Sequence, residues 1–244
     1  MASKSWNGTN PGALRVGTSG YAYKPWKGPF YPAKLADREM LGFYAQQFPT
    51  VEINNTFYRT PTEKLLAGWA AVVPETFRFV LKMNQQVTHL QRLRGVEATL
   101  KRFLEVSSLL ANEGRLGPIL VQLPPNFKAD LPLLEEFLGL RPSAFRFALE
   151  FRHPTWYADE TYDLLRGRGA ALCLAETDED TPPDLLTADF VYVRLRREEY
   201  TPKQLQTWKI RFDAWLAQGL DVYAFVKHED AGKAPAYCRT LLGL

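Results

Sequence analysis

The sequence predicts an α/β fold, a single (β/α)8 TIM-type barrel of parallel strands. Three observations lead there. Strand-like and helix-like segments alternate along the whole chain, with no internal repeat and no linker. About eight such units fit into 244 residues, close to the roughly 250 typical of such a barrel. Five strand segments also begin apolar and turn polar at their C-terminal ends. They are Val51-Glu52-Ile53-Asn54, Phe79-Val80-Leu81-Lys82-Met83-Asn84, Ile119-Leu120-Val121-Gln122, Phe147-Ala148-Leu149-Glu150-Phe151-Arg152 and Val191-Tyr192-Val193-Arg194. Side chains of a strand alternate faces with period two, so the polar groups of each segment share one face. In parallel neighbours that face collects Glu52, Asn54, Lys82, Asn84, Gln122, Glu150, Arg152 and Arg194 at one end of the sheet. A doubly wound open sheet is the alternative. Gly17-Thr18-Ser19-Gly20 lacks the spacing of a dinucleotide fingerprint.

The elements follow in order. Residues 1–13 are polar and expected to be disordered, leaving 14–244 as one barrel domain. The first strand is 14–18, ending in Ser19-Gly20, and an aromatic, proline-rich loop runs to Pro32. A helix at 38–47 stops at Pro49. Strand 51–56 leads to a helix at 62–72, strand 78–84 to a helix at 96–112, and strand 118–123 through Pro124-Pro125 to a short helix at 131–138. Strand 145–151 is followed by a helix at 158–166. Strand 170–176 runs into an acidic, proline-interrupted segment, read as a short helical turn through Leu186. Strand 190–195 precedes a helix from Thr201, which can cap it, with Pro202 suited to its first position. Strand 222–226 and a helix at 235–242 complete the chain.

The formal net charge of +3 is mild and neither demands nor excludes nucleic acid. Cys173 and Cys238 are too few and too far apart for a disulfide framework or a zinc motif. Both are read as reduced, which with the absence of a signal-like apolar start places the chain in the cytoplasm. No apolar run reaches the roughly 20 residues of a membrane span.

Glu52 and Glu150 are the leading candidates for acid–base catalysis, because barrel active sites form at this face. The structural alternative is an internal ion pair with Lys82 or Arg194. Lys82, Arg152 and Arg194 suit an anion; Schiff-base chemistry at Lys82 has no support in the sequence alone. Asn54 and Tyr58 suit a ring-shaped ligand through hydrogen bonds and stacking, and Gln122 lies on the same face. His153 stands in Phe151-Arg152-His153-Pro154-Thr155-Trp156, where it is a catalytic candidate and Trp156 can wall a pocket. His89, His153 and His228 together with Glu52, Glu150 and Glu176 make a metal site arithmetically conceivable. No metal-ligand spacing supports it, so no metal or other cofactor is expected. Tyr21, Tyr23, Trp26, Phe30 and Tyr31 interleave with Lys24 and Lys27, a pattern that can stack bases but reads better as an aromatic plug. Arg92, Arg94, Lys101 and Arg102 read as a solvated basic face.

Several motifs resemble the domain-of-unknown-function-72 family, also called YecE-like. They are Val16-Gly17-Thr18-Ser19-Gly20-Tyr21, Trp26, Phe30-Tyr31-Pro32, Val51-Glu52-Ile53-Asn54-Asn55-Thr56-Phe57-Tyr58 and Phe77-Arg78-Phe79. Thr88-His89, Leu116-Gly117-Pro118-Ile119-Leu120-Val121-Gln122-Leu123-Pro124-Pro125, Glu150-Phe151-Arg152-His153-Pro154-Thr155-Trp156 and Tyr192-Val193-Arg194-Leu195 continue the likeness over nearly the whole chain. The resemblance implies a single (β/α)8 barrel and no particular reaction. It departs at Arg196-Arg197, where many members have His-Gly, and at residues 224–230, so this site is expected to be more basic.

The expected function is hydrolase-like acid–base chemistry on a phosphorylated or nucleotide-like ligand at the C-terminal mouth. The alternatives are a non-catalytic nucleic-acid-binding module and a metal-dependent, endonuclease-like phosphodiesterase. Basic residues converging on the mouth favour a small anion, and a surface stripe favours a polymer.

Overall fold

A computed structural model describes residues 12–227 and 231–244. Its eight strands are β1 (Leu14–Thr18), β2 (Thr50–Ile53), β3 (Arg78–Lys82), β4 (Leu116–Gln122), β5 (Phe147–Glu150), β6 (Ala171–Glu176), β7 (Phe190–Leu195) and β8 (Asp221–Val226). All ladders are parallel, in the order β1-β8-β7-β6-β5-β4-β3-β2. The helices are α1 (Met40–Gln47), α2 (Glu63–Ala70), α3 (Glu97–Asn112), α4 (Leu131–Gly139), α5 (Asp159–Arg168), α6 (Pro202–Leu216) and α7 (Lys233–Leu242). The expected barrel is therefore present, nearly closed, with helices between its strands.

Parity along each strand divides the core in two. Val51, Ile53, Phe79, Leu81, Ile119, Val121, Phe147, Leu149, Leu172, Leu174, Val191, Val193 and Val222 point outward and pack under the helices. Val80, Leu120, Ala148, Ala171, Cys173, Phe190, Tyr192, Tyr223 and Phe225 point inward and fill the barrel. Below them, Arg15 and Arg146 pair with Asp221 at the N-terminal end. Above them the inward parity turns polar, at the positions that the alternation in the sequence marks.

Helix ends follow local chemistry. Thr62 and Asp130 accept hydrogen bonds from Leu65 N and Leu133 N at the starts of α2 and α4. Thr201 and Gln204 form a capping box at α6, with Pro202 at its first position, as expected. One expectation fails. Between β6 and β7 there is no helical turn: residues 181–187 carry no regular structure. Pro182 and Pro183 lack N–H donors and push the residues before them towards extended backbone. Thr177 instead closes a tight turn, its hydroxyl accepting from Asp180 N. The expected disordered start falls on residues 1–11, outside the described residues, and on Gly12 and Ala13. Those two are tied down, Gly12 N to Leu216 O and Ala13 N to the Asp221 carboxylate.

The aromatic loop after β1 packs rather than stacking ligands. Trp26 and Tyr31 are fully buried, and Phe30 lies against Phe43, Tyr44 and Phe48 of and beside α1. Both cysteines are free and buried. Among the described residues no helix is long and apolar enough to cross a membrane.

The seam between β1 and β2 has no ladder, only the bridge Ser19 to Glu52. The Tyr44 hydroxyl closes it from α1, accepting from Thr18 N at 2.8 Å and donating to Thr50 O at 3.1 Å. Gly17 permits the approach, because a Cβ there would sit 2.0 Å from Thr50 O. Tyr44→Phe is therefore expected to cost about 1–3 kcal/mol by stranding a buried N–H. Gly17→Ala is expected to cost about as much through overpacking. Urea unfolding of each variant checks this; an unchanged midpoint in both would show that the seam needs neither.

Candidate active site at the barrel mouth

The polar layer is organised by Arg194, on the inward face of β7. Its Nη1 donates to Glu150 Oε2 at 2.5 Å and its Nη2 to Glu52 Oε1 at 2.8 Å, across the barrel. Glu52 Oε2 accepts from the Tyr192 hydroxyl at 2.7 Å, and Oε1 also accepts from Asn54 Nδ2 at 3.2 Å. Glu150 Oε1 accepts from Arg152 Nε at 3.1 Å. All four carboxylate oxygens are thus occupied, and Glu52, Glu150 and Arg194 are buried.

The charges follow from these contacts. Burial works to raise the Glu150 carboxyl, but Arg194 and Arg152 overrule it and bring it down to about 2. For Glu52, burial is likewise outweighed by Arg194 and the Tyr192 hydrogen bond, and its carboxyl lies below the usual range. Both are ionised at neutral pH. As expected for the structural alternative, they form an internal ion pair; they are not poised to carry protons.

Lys82 is different. Its Nζ makes no hydrogen bond or ion pair among the described residues and lies 4.3 Å from the centre of the Phe57 ring. Burial and the positive charge of Arg194 lower it to about 8, against the opposing pull of Glu52 and Glu150. Arg196, two residues beyond Arg194 on the same parity, also has no ion pair among the described residues; burial and Arg194 lower it. Arg152 spends its Nε on Glu150 and keeps its outer nitrogens at a half-exposed rim. Four cations, Lys82, Arg152, Arg194 and Arg196, therefore face two carboxylates.

The loop after β3 supplies His89. Gln86–Leu90 form one π-helical turn, and Arg92 and Leu93 follow at φ 48° and 66°, a strained, left-handed pair. The His89 ring packs edge-on to Phe57, 4.8 Å between centroids, and its Nδ1 contacts the Thr88 hydroxyl. Burial and the nearby Lys82, Arg152 and Arg92 lower its pKa.

The other expected site residues divide. Asn54 holds Glu52 and borders a cavity of about 130 Å³ with Tyr21, Tyr23 and Trp69. Gln122 pairs in register with Glu150, its amide without a hydrogen bond among the described residues. Tyr58 is 71% exposed and lines a separate cleft of about 630 Å³ with Asn84, Gln86 and Arg102. Trp156 is no pocket wall: it is fully buried, stacked on Phe151, with its N–H on Phe127 O. His153 caps its own turn, Nδ1 accepting from Thr155 N, and touches none of the Arg194 cluster. Glu176 points outward to Trp208 and Arg197, and His228 lies outside the described residues. Among the described residues no three His, Cys, Asp or Glu side chains gather as a metal site. Tyr192 was not singled out as a site residue by the sequence, Phe57 was read with Asn54 and Tyr58 only for stacking, His89 only within a conceivable metal set, and Arg196 only as a departure that makes the site more basic. Arg196 also continues the inward parity of Arg194; the place of His89 beside Phe57 depends on the π turn.

A protein-family model described as "Protein of unknown function DUF72" matches residues 15–244. The Bacillus subtilis protein UPF0759 protein YunF is 29% identical, covering 88% of this chain and 89% of its own. UPF0759 protein YecE of Escherichia coli K12 is 35% identical over 127 residues, 51% of this chain and 46% of the relative; that match spans about half the relative's length. Among solved structures, a DUF72 family protein of Thermotoga maritima superposes with TM-score 0.84 at 25% identity, covering 95% of this chain and 98% of its own. One from Enterococcus faecalis gives 0.73 at 17% identity, covering 96% and 98%, and shows the same fold.

Two outcomes follow from the Arg194 cluster. Arg194→Met should destabilise the protein by about 3–5 kcal/mol, because it strands two buried carboxylates. Because the Glu150 carboxyl is lowered on folding from 4.5 to about 2, its stabilisation is full above the unfolded value and is lost as pH falls between them. Glu150→Gln should lessen the slope of stability against pH in that window. Urea titrations from neutrality into acid check both, and a slope equal to that of the parent would refute the second.

Proposed function

We propose, from the premise that this chain belongs to the DUF72 family of proteins of unknown function, that its barrel mouth binds a small phosphorylated or nucleotide-like ligand and performs hydrolase-like acid–base chemistry on it. The observation that carries this reading is the surplus of cations. Arg194 is consumed by Glu52 and Glu150, yet Arg196, Lys82 and the outer nitrogens of Arg152 remain available at the same opening. Arginine forks suit phosphate oxygens, with hydrogen bonds roughly twice as strong as neutral ones.

The basic residues outside the mouth make a poor track for a polymer. Arg94 pairs with Asp130, Lys101 with Glu105, and Arg92 donates to Asn126. That arrangement favours a small anion over the nucleic-acid-binding alternative. A metal-dependent phosphodiesterase finds no gathered ligand set among the described residues. The proton-transfer roles first considered for Glu52, Glu150 and His153 pass to Lys82 and His89. These are the ionisable groups here that their surroundings bring towards neutrality. Glu52 and Glu150 are then positioning residues, holding Arg194 and setting the field.

Sulfate, which keeps its charge near neutrality, tests the binding. Calorimetry should show sulfate binding to the parent protein, and Arg196→Ala should weaken it about tenfold, one lost contact of about 1.4 kcal/mol. The melting temperature should stay nearly unchanged, because the Arg196 side chain makes no hydrogen bond or ion pair among the described residues, and its backbone bond to Glu176 O survives the substitution. Equal affinities would remove the reading.

Sulfate affinity should also fall as pH rises through about 8, because Lys82 then loses its positive charge. The charged groups that act on Lys82 are Glu52, Glu150, Arg152 and Arg194, and His89 lies beside the same ring; its imidazole, lowered below its ordinary 6.5, is already neutral at that pH. Lys82→Arg should abolish the step, and a step that survives the substitution belongs to another group.

A further inference from the structure

Anion binding alone does not explain the setting of Lys82. An ammonium that is to hold a phosphate gains from acceptors and open water around it. Lys82 lacks the acceptors and is partly withdrawn from water: its Nζ rests on the face of Phe57, has no hydrogen bond among the described residues, and shares the mouth with three arginines. Desolvation and adjacent cations are the two devices that activate a lysine amine as a nucleophile, and here both act on one side chain. They bring Lys82 to about 8, so about a tenth of the amine is neutral at pH 7. The His89 ring packs on the edge of the same phenyl group, within the setting where a proton carrier is needed.

We propose that Lys82 forms a Schiff base with the carbonyl carbon of a small phosphorylated aldehyde or ketone, whose phosphate is held by Arg152 and Arg196. This rests on the reading of the mouth as a phosphate site and goes beyond proton transfer. The neutral Nζ attacks the carbonyl carbon, the π pair moves to oxygen, and one proton passes from the nitrogen to that oxygen, giving a neutral carbinolamine. A second proton, taken from solvent, lets the hydroxyl leave as water while the nitrogen, which keeps its remaining proton, supplies its lone pair to form the C=N bond of an iminium. One water is released, and no oxidant or reductant is needed. The iminium cation so formed faces the fixed negative charges of Glu52 and Glu150, which favour the charged state of this nitrogen. It also draws electrons from the neighbouring carbon, so that a C–H or C–C bond there becomes easier to break.

The test uses the unmodified full chain. It is incubated with D-glyceraldehyde 3-phosphate, with D-glyceraldehyde as the phosphate-free comparator, and sodium borohydride then reduces any C=N bond to a stable secondary amine. Peptide mass mapping locates the adduct. The expected result is an adduct at Lys82 exceeding that at any other lysine by about tenfold, and falling about tenfold with the phosphate-free aldehyde. Inorganic phosphate should protect Lys82 alone. Labelling of Lys82 no stronger than that of the surface lysines overturns the proposal; if sulfate still binds in calorimetry, the anion-binding reading survives that failure. Equal labelling of Lys82 by both aldehydes, without protection by phosphate, overturns the phosphorylated substrate and the anion-binding reading with it.

Discussion

The bridge from Arg194 to Glu52 and Glu150 is the interaction on which the upper half of this barrel depends. It joins β7 to β2 and β5 across the interior, where no backbone ladder connects them. Three charges without water are costly to bury, and they persist because their hydrogen-bonding groups are nearly all paired. Tyr192 and Arg152 fill the remaining oxygens, and Asn54 shares Glu52 Oε1 with Arg194; the Arg194 Nε is the one nitrogen of the guanidinium left unpaired. Beneath this layer the interior is apolar as far as the Arg15–Asp221–Arg146 pairs, so the bridge also marks where packing stops and chemistry begins.

The same bridge decides which groups can react. A carboxylate held by two guanidinium groups does not accept or release a proton near neutrality, which removes Glu150 from acid–base work; one guanidinium and the Tyr192 hydroxyl do the same for Glu52. Their negative charge is spent on Arg194, so the cations around them are left in excess. Lys82 feels this most, because it is partly desolvated and has a ring face in place of a hydrogen-bond partner. One ion triad thus turns the carboxylates into scaffold and leaves an amine and an imidazole as the titrating pair.

The fold is shared with DUF72 proteins of known structure, and a shared barrel says nothing of the reaction. Function must be argued from the mouth. In barrels generally, the strands hold the site and the loops that vary on them set the chemistry. The π turn and the left-handed Arg92-Leu93 pair carry His89 to the Phe57 ring, and Leu93 stays buried despite its backbone strain. Such strain persists where surrounding packing holds it.

Strand parity was legible in the sequence, because a pleated backbone forces side chains to alternate whatever their chemistry. That alone placed Glu52, Lys82, Gln122, Glu150 and Arg194 on the inward face and located the mouth. Helix starts at Thr62 and Thr201 were legible for a similar reason, since capping is settled within a few residues. The proline segment after β6 was read as a short helical turn, but Pro182 and Pro183 push the residues before them towards extended backbone, and 181–187 stay irregular. Which cation takes which carboxylate was decided only by the tertiary structure: the sequence offers Lys82 and Arg194 equally, and the nearly closed barrel brings Arg194 within hydrogen-bond distance of both. Trp156 and His153, adjacent in sequence to the site, turn instead into the core and onto their own loop. Proximity along the chain is set by covalent bonds, but proximity at the mouth is set by how eight strands close around one interior.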